Sequence, residues 1–203
     1  MRRSNLRGCV AVFSSVLVLT GTPEMLRAQQ APDATVIRLY APFAPGAVRP
    51  GVEVSGRVTG ECFAASLADQ SRADAWRCMS ANRILDPCFQ GFEGSKIMLA
   101  CPENPWSPRV TLLVPSKVPP RAQANRPGIG QGLPWALELT NGTRCVFLTG
   151  ATSAVAGMRV NYGCVGGPSV VGELDRTLPQ WRAFVDPGKG VTVQMQGLAV
   201  VWY

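Results

Sequence analysis

Seven cysteines, thirteen carboxylates and no histidine bound the chemistry open to this chain of 203 residues. Without imidazole the Ser-His-Asp and Cys-His arrangements are excluded, and so are the usual imidazole metal sites. Paired carboxylates remain. Glu138, Glu173 and Asp175 are the candidates for acid–base work on a glycosidic bond, a chemistry defined by carboxyl separation in space rather than along the chain. Each also has a plainer role: Glu138 as a core carboxylate paired with an arginine, Glu173 and Asp175 as a polar turn. GIGQG at 128–132 lacks the following Lys-Ser or Lys-Thr and the helix of a phosphate cradle. No cofactor is expected.

Cys9 precedes an apolar run, which leaves Cys62, Cys78, Cys88, Cys101, Cys145 and Cys164. An even set reads as three disulfides, and disulfides form and persist outside the cytosol. With no C-x-x-C and no histidine, a zinc site is disfavoured. Of the fifteen pairings that six cysteines allow, the sequential one is preferred (62 with 78, 88 with 101, 145 with 164), each closing a short segment. Only the last has a register argument. Among the five tryptophans, Trp76, Trp135, Trp181 and Trp202 fall on expected helix or strand positions, where rings serve the core. Trp106, in the turn ENPWSP, is expected to be exposed and is the candidate for stacking on a ligand.

These groups must be positioned by strands, above all in Trp135 to Cys164. Asn141-Gly142 between two runs of alternating polarity predicts a two-residue type I′ hairpin with Thr140 facing Thr143. That register puts Trp135, Leu137 and Leu139 on one face with Arg144, Val146 and Leu148, and Ala136 and Glu138 on the other with Cys145 and Phe147. Both faces are apolar, so both should be covered. Asn141-Gly142-Thr143 is also a glycosylation sequon, but the turn alone accounts for it. If the return run MRVNYGC pairs with CVFLTG so that Cys164 faces Cys145, Phe147 meets Tyr162, Thr149 meets Val160 and a loop spans Ser153 to Ala156. The two sulfurs then lie within disulfide reach.

In chain order, residues 1–28 read as an export signal, with Arg2, Arg3 and Arg7 before CVAVFSSVLVL, a run too short to span a bilayer. Cleavage is expected after Ala28, with Ala31 in reserve and an uncleaved anchor as the alternative; after cleavage no stable membrane span remains. The full chain carries +7, and residues 1–28 hold four basic and one acidic residue, so 29–203 carry +4. Those charges are scattered without a basic run, which argues against nucleic acid. Residues 29–50 form an extended N-terminal segment around the short strand TVIRLY. From 51 to 203 a disulfide-stabilised β domain follows: GVEVSGRVTG with a bulge at Gly56, then KIMLACP, RVTLLVP, a hairpin of WRAFV and VTVQM, and LAVVWY tied into a sheet. Ser71-Arg-Ala-Asp74 looks like a helix cap and predicts one short helix over 71–79. Asp86-Pro87 should end the element before it. The Pro/Gly-rich stretch 115–134 reads as a long surface loop within one domain. The expected fold is thus mainly β, a single antiparallel barrel or sandwich of seven to nine strands with one short helix, stapled by three disulfides.

The segments CFAASLADQSRADAWRC (62–78), LDPCF (85–89) and WALELTNGTRCVFLTGATSAVAGMRVNYGC (135–164) resemble a group of small exported, cysteine-framed bacterial proteins with no assigned activity. The resemblance implies export and disulfides, and it brings no catalytic residues. Function is therefore expected to be that of an exported, non-enzymatic envelope or secreted module, periplasmic or secreted. It would meet an envelope protein or polysaccharide through its loops, chiefly 41–50, 102–108 and 115–134. The alternative is a histidine-free, carboxylate-dependent hydrolase of a cell-wall or extracellular polymer.

Overall fold

Apolar residues at alternate positions, punctuated by Gly, Asn and Pro, make fifteen strands and no helix among the described residues of this computed structural model, which are 33–117, 119, 126–188 and 192–203. The expected export signal lies outside them. The chain begins with β1 (Val36–Arg38) and a short hairpin, β2 (Phe43–Ala44) with β3 (Ala47–Val48). Five longer strands follow: β4 (Glu53–Ala65), β5 (Ala75–Ser80), β6 (Arg83–Glu93), β7 (Lys96–Pro102) and β8 (Arg109–Pro115). Beyond the Pro-rich stretch lie β9 (Ala136–Leu139), β10 (Arg144–Phe147), β11 (Ala154–Val155), β12 (Met158–Cys164), β13 (Ser169–Asp175), β14 (Arg182–Asp186) and β15 (Gln194–Trp202).

The strands close two barrels. In the first, β4 to β8 pair in sequence as antiparallel neighbours, and β8 returns to lie parallel to β4, with Glu53 opposite Arg109 and Gly60 opposite Pro115. In the second, β9, β10, β12, β13, β14 and β15 are all antiparallel, and β15 closes onto β9 with Val201 opposite Leu137. Closure removes the free edges that an open sheet must protect. It also raises the strand number above the seven to nine expected, because two rings are built instead of one. β1 runs parallel to the last residues of β15, Arg38 opposite Trp202, so the C-terminal strand is tied down on both sides.

Leu137, Leu139, Cys145, Tyr162, Val170, Leu174, Ala183, Val185, Leu198 and Val201 form a buried cluster drawn from all six strands of the second barrel, which makes it the lumen. In the first barrel, alternate residues of β7 serve two clusters. Leu99 and Cys101 join Trp76, Leu113 and both local disulfides, whereas Met98 and Ala100 face a cluster shared with Tyr40, Trp135 and Ala136. That shared cluster holds the barrels together. The rings of Tyr40, Phe89 and Trp135 meet there with centroids 5.2 to 5.4 Å apart.

All three sequential disulfides are present, Cys62–Cys78, Cys88–Cys101 and Cys145–Cys164. Cys145 faces Cys164 and Phe147 faces Tyr162, as the return run requires. Beyond that pair the ladder turns differently. Val160 N donates to Ser153 O rather than facing Thr149, and Ala154–Val155 folds back on Met158–Arg159 through Ala156 and Gly157, both at positive φ.

Three further expectations are corrected. Residues 71–79 contain no helix: 75–80 is strand β5, paired on one side with β4 and on the other with β6. An extended backbone lets Cys78 face Cys62 while both strand edges are satisfied. The cap also fails locally, since Ser71 Oγ is buried without a partner in the protein and Asp74 is held by Arg72 at 2.5 Å. Second, β6 runs straight through Asp86-Pro87, whose bond is cis, and its ladder with β5 skips a step between Leu85 and Cys88. Third, the Asn141-Gly142 hairpin is one residue longer than a type I′ turn. Gly142 has positive φ but Asn141 does not, Leu139 N donates to Thr143 O, and Arg144 faces Glu138. The slip by one residue exchanges faces. Cys145 now shares the lumen with Leu137 and Leu139, and Ala136 and Val146 turn to the cluster between the barrels. The hairpin is covered on both faces.

Candidate functional site

The parallel pairing of β4 with β8 determines where two of the expected loops go. The segment 39–52 enters β4 and the turn 103–108 enters β8, so both end at the same rim, where Glu53 N donates to Pro108 O at 2.8 Å. The first loop is braced by Arg49 N on Pro42 O (2.9 Å) and by Val52 N on Arg49 O (3.1 Å). The second is an Asx turn: Asn104 Oδ1 accepts from the backbone N–H groups of Trp106 (3.1 Å) and Ser107 (2.8 Å). From the second barrel, β15 brings Trp202 to the same rim beside Arg38.

Between them lies a cleft of about 310 Å³ lined chiefly by Tyr40, Arg49, Val52, Trp106, Pro108 and Trp202. Its walls are mostly apolar and aromatic, and among the described residues Arg49 is the sole charged one lining it. Two more guanidinium groups border the rings: Arg38 lies over Trp202 at 5.1 Å and Arg144 over Trp106 at 5.3 Å from the ring centroids. Arg144 is paired with Glu138 at 3.3 Å. Arg38 and Arg49 are exposed and, among the described residues, have no ion pair. Tyr40 OH, Trp106 Nε1 and Trp202 Nε1 are shielded from water and lack a hydrogen-bond partner within the protein. Burial pushes the Tyr40 phenol up to about 12, so it stays a neutral hydroxyl.

Trp106 is half-buried rather than exposed, because it packs against the shared cluster while bordering the cleft. Trp76 and Trp135 are buried, and Trp181 and Trp202 are half-buried against the clusters, in keeping with core roles. The three candidate carboxylates do not converge. Glu138 is half-buried and paired with Arg144, whereas Asp175 accepts from Thr177 and Arg182, whose hydrogen bonds hold it down at about 2. Glu173 lines a different cleft of about 370 Å³ with Arg159 and Asn161, which neither of the other two lines.

Two carboxylates that the sequence reading passed over as site residues are raised by burial. Asp69 is fully buried and burial raises it to about 6, against the pull of Arg72. Asp86 is also raised by burial, opposed by the Ser66 hydroxyl at 2.5 Å and the backbone N–H groups of Leu67 and Ala68. Both belong to a bracing network. Arg126 donates to the carbonyls of Asp69, Arg72 and Ala75, and Arg72 to those of Tyr40 and Tyr203, which ties the 66–75 loop to the C-terminus. No residue type in SLADQSRAD marks this role; it arises from strands that meet only in the fold. Among the described residues no group of three or more Cys, Asp or Glu could hold a metal ion, and no helix is long and apolar enough to cross a membrane.

Comparison of the chain with family models, with curated proteins and with solved structures finds no match.

Proposed function

We propose that the chain is an exported, disulfide-stapled module that binds an envelope protein or polysaccharide, secreted or periplasmic, and is not an enzyme. The observation that carries this reading is the convergence of the 39–52 and 103–108 loops with Trp202 on one aromatic cleft that, among the described residues, no carboxylate lines. A rigid double barrel stapled by three disulfides suits presentation of loops rather than motion. Export is supported by those bonds, by the apolar leader in the sequence and by the resemblance to cysteine-framed exported proteins. The hydrolase alternative needs two carboxylates about 5 to 9 Å apart in one cleft; Glu138 and Asp175 are instead each engaged by an arginine, and Glu173 lines a separate cleft.

The test is a pull-down of envelope proteins and polysaccharides by the oxidised chain, run beside a turnover screen on the same polymers. Capture without turnover, weakened by Trp106→Ala, is the expected result. Turnover abolished by Glu138→Gln, Glu173→Gln or Asp175→Asn, with folding intact, would reverse the assignment.

A further inference from the structure

We infer that the ligand of this cleft is an acidic polysaccharide, its sugar rings laid against Trp106 and Trp202 and its carboxylates paired with Arg49 and Arg38. The inference rests on the reading of the cleft as the binding site and narrows it to one class of ligand. Two features of the site point the same way.

The first is charge. The cleft contributes Arg49 and no carboxylate, and Arg38 stands over Trp202 without an ion pair among the described residues, so two cations await an anion. Two exposed guanidinium groups suit carboxylates spaced along a polymer, since each can hold a carboxylate through two parallel N–H donors. The second is shape. Indole and proline surfaces bounding a cleft of about 310 Å³, near the small end of the range for ligand pockets, receive the apolar C–H face of a sugar ring better than a folded segment. Single-stranded nucleic acid shares the taste for rings and cations, but it needs a row of basic residues along its backbone, and among the described residues this rim supplies only Arg38 and Arg49 unpaired.

Affinity electrophoresis and calorimetry of the oxidised chain with polygalacturonate, neutral dextran and an oligo(dT) strand test the inference. Polygalacturonate is expected to bind at least about tenfold more tightly than dextran at low salt, with the margin shrinking as added salt screens the exposed charges. Arg49→Gln should weaken polygalacturonate about three- to tenfold, the range for a partly exposed charged contact. Arg83→Gln, an exposed arginine on β6, should change it less than about twofold, which separates the site from general attraction of a basic protein. Trp106→Phe, which keeps a packed ring, should retain the margin between the two polysaccharides, and Trp106→Ala should lose affinity for both. Equal binding of dextran and polygalacturonate, both sensitive to Trp106→Ala, would overturn the acidic ligand and leave the binding module standing. Tighter binding of oligo(dT), or polygalacturonate binding indifferent to Arg49→Gln and Trp106→Ala, would overturn the inference as well. Envelope capture in the pull-down with no affinity for polygalacturonate refutes this ligand alone; absence of both refutes the two readings together.

Discussion

Replacing Asp69 by Asn should flatten the dependence of stability on pH between about 4 and 7. The carboxyl is fully buried, and burial raises it from 3.8 to about 6. The folded state therefore binds a proton that the unfolded state has already released, so stability falls as pH rises through this window and levels off above it. The rise corresponds to about 3 kcal/mol lost between pH 4 and pH 7, at about 1.4 kcal/mol per pKa unit. The groups that face Asp69 set this figure: Arg72 and the N–H groups of Ser71 and Arg72 favour the ion, and Asp74 and burial oppose it. Asn keeps an oxygen for the Ser71 N–H, at 3.2 Å in the native protein. It also leaves an amide where Oδ2 has no partner, at a cost of about 1–3 kcal/mol that does not vary with pH. The slope, not the level, is the readout. Urea unfolding of both proteins at intervals from pH 4 to 8, with disulfides intact, should show the native slope reduced by about 3 kcal/mol in the Asp69→Asn variant. A smaller slope of the same sign should persist, because burial raises Asp86 too. Identical slopes in the two proteins, or native stability that rises from pH 4 to 7, would refute the reasoning.

At the acid end the sign reverses for Asp175: hydrogen bonds from Thr177 and then Arg182 hold it at about 2, so it supports the fold above its unfolded value and that support fades as pH falls toward 2. Acid titration followed by near-UV circular dichroism should show Asp175→Asn with less further loss of stability below pH 4 than the native chain. Removing the bond between Cys145 and Cys164 by a double change to Ala should cost about 3 kcal/mol in urea unfolding, through freedom returned to the unfolded chain. Gly91→Ala would place a methyl 2.3 Å from two ring atoms of Phe43. The β2–β3 hairpin must shift, lowering stability by about 1–3 kcal/mol and weakening polygalacturonate binding at the neighbouring cleft.

What the sequence revealed and what it hid divide along the distance between partners. The register of Cys145 with Cys164 was legible because period two, a short loop and the reach of a disulfide all constrain the same few residues. KIMLACP and RVTLLVP are strands β7 and β8 over their whole lengths, and the ladder shifts between Val54 and Gly56 where a bulge was expected. The Asn141-Gly142 turn was legible as a turn but not in length. Two- and three-residue loops differ locally only in the φ of Asn141, and the choice is made by which set of side chains fills the lumen. Leu137, Leu139 and Cys145 fill it together, whereas the two-residue register would have placed Arg144 beside the leucines. Residues 71–79 misled for a related reason: a serine three residues before an aspartate is a local helix signal, and the pairings that overrule it come from β4 and β6.

The cleft shows the same division. Trp106 and the loops 41–50 and 102–108 could be singled out because proline-rich turns carrying aromatic residues are conspicuous in any sequence. Their meeting could not, since it depends on Glu53 lying parallel to Arg109, fifty-six positions away, a pairing that no hairpin signal announces. Tyr40 and Trp202 were hidden more deeply still. Tyr40 N donates to Tyr203 O, and Tyr203 N to Arg38 O, so the first strand and the last form one wall of the site. Arg72 then grips the carbonyls of both Tyr40 and Tyr203 from the loop that resembled a helix cap. A cleft assembled from the first strand, the last strand and the middle of the chain cannot survive partial unfolding of either barrel, which is a physical reason for stapling each with its own disulfides. The two arginines at the cleft, Arg38 and Arg49, lie on segments outside both rings, away from the strands where Glu93, Glu138 and Asp175 pair with Arg57, Arg144 and Arg182.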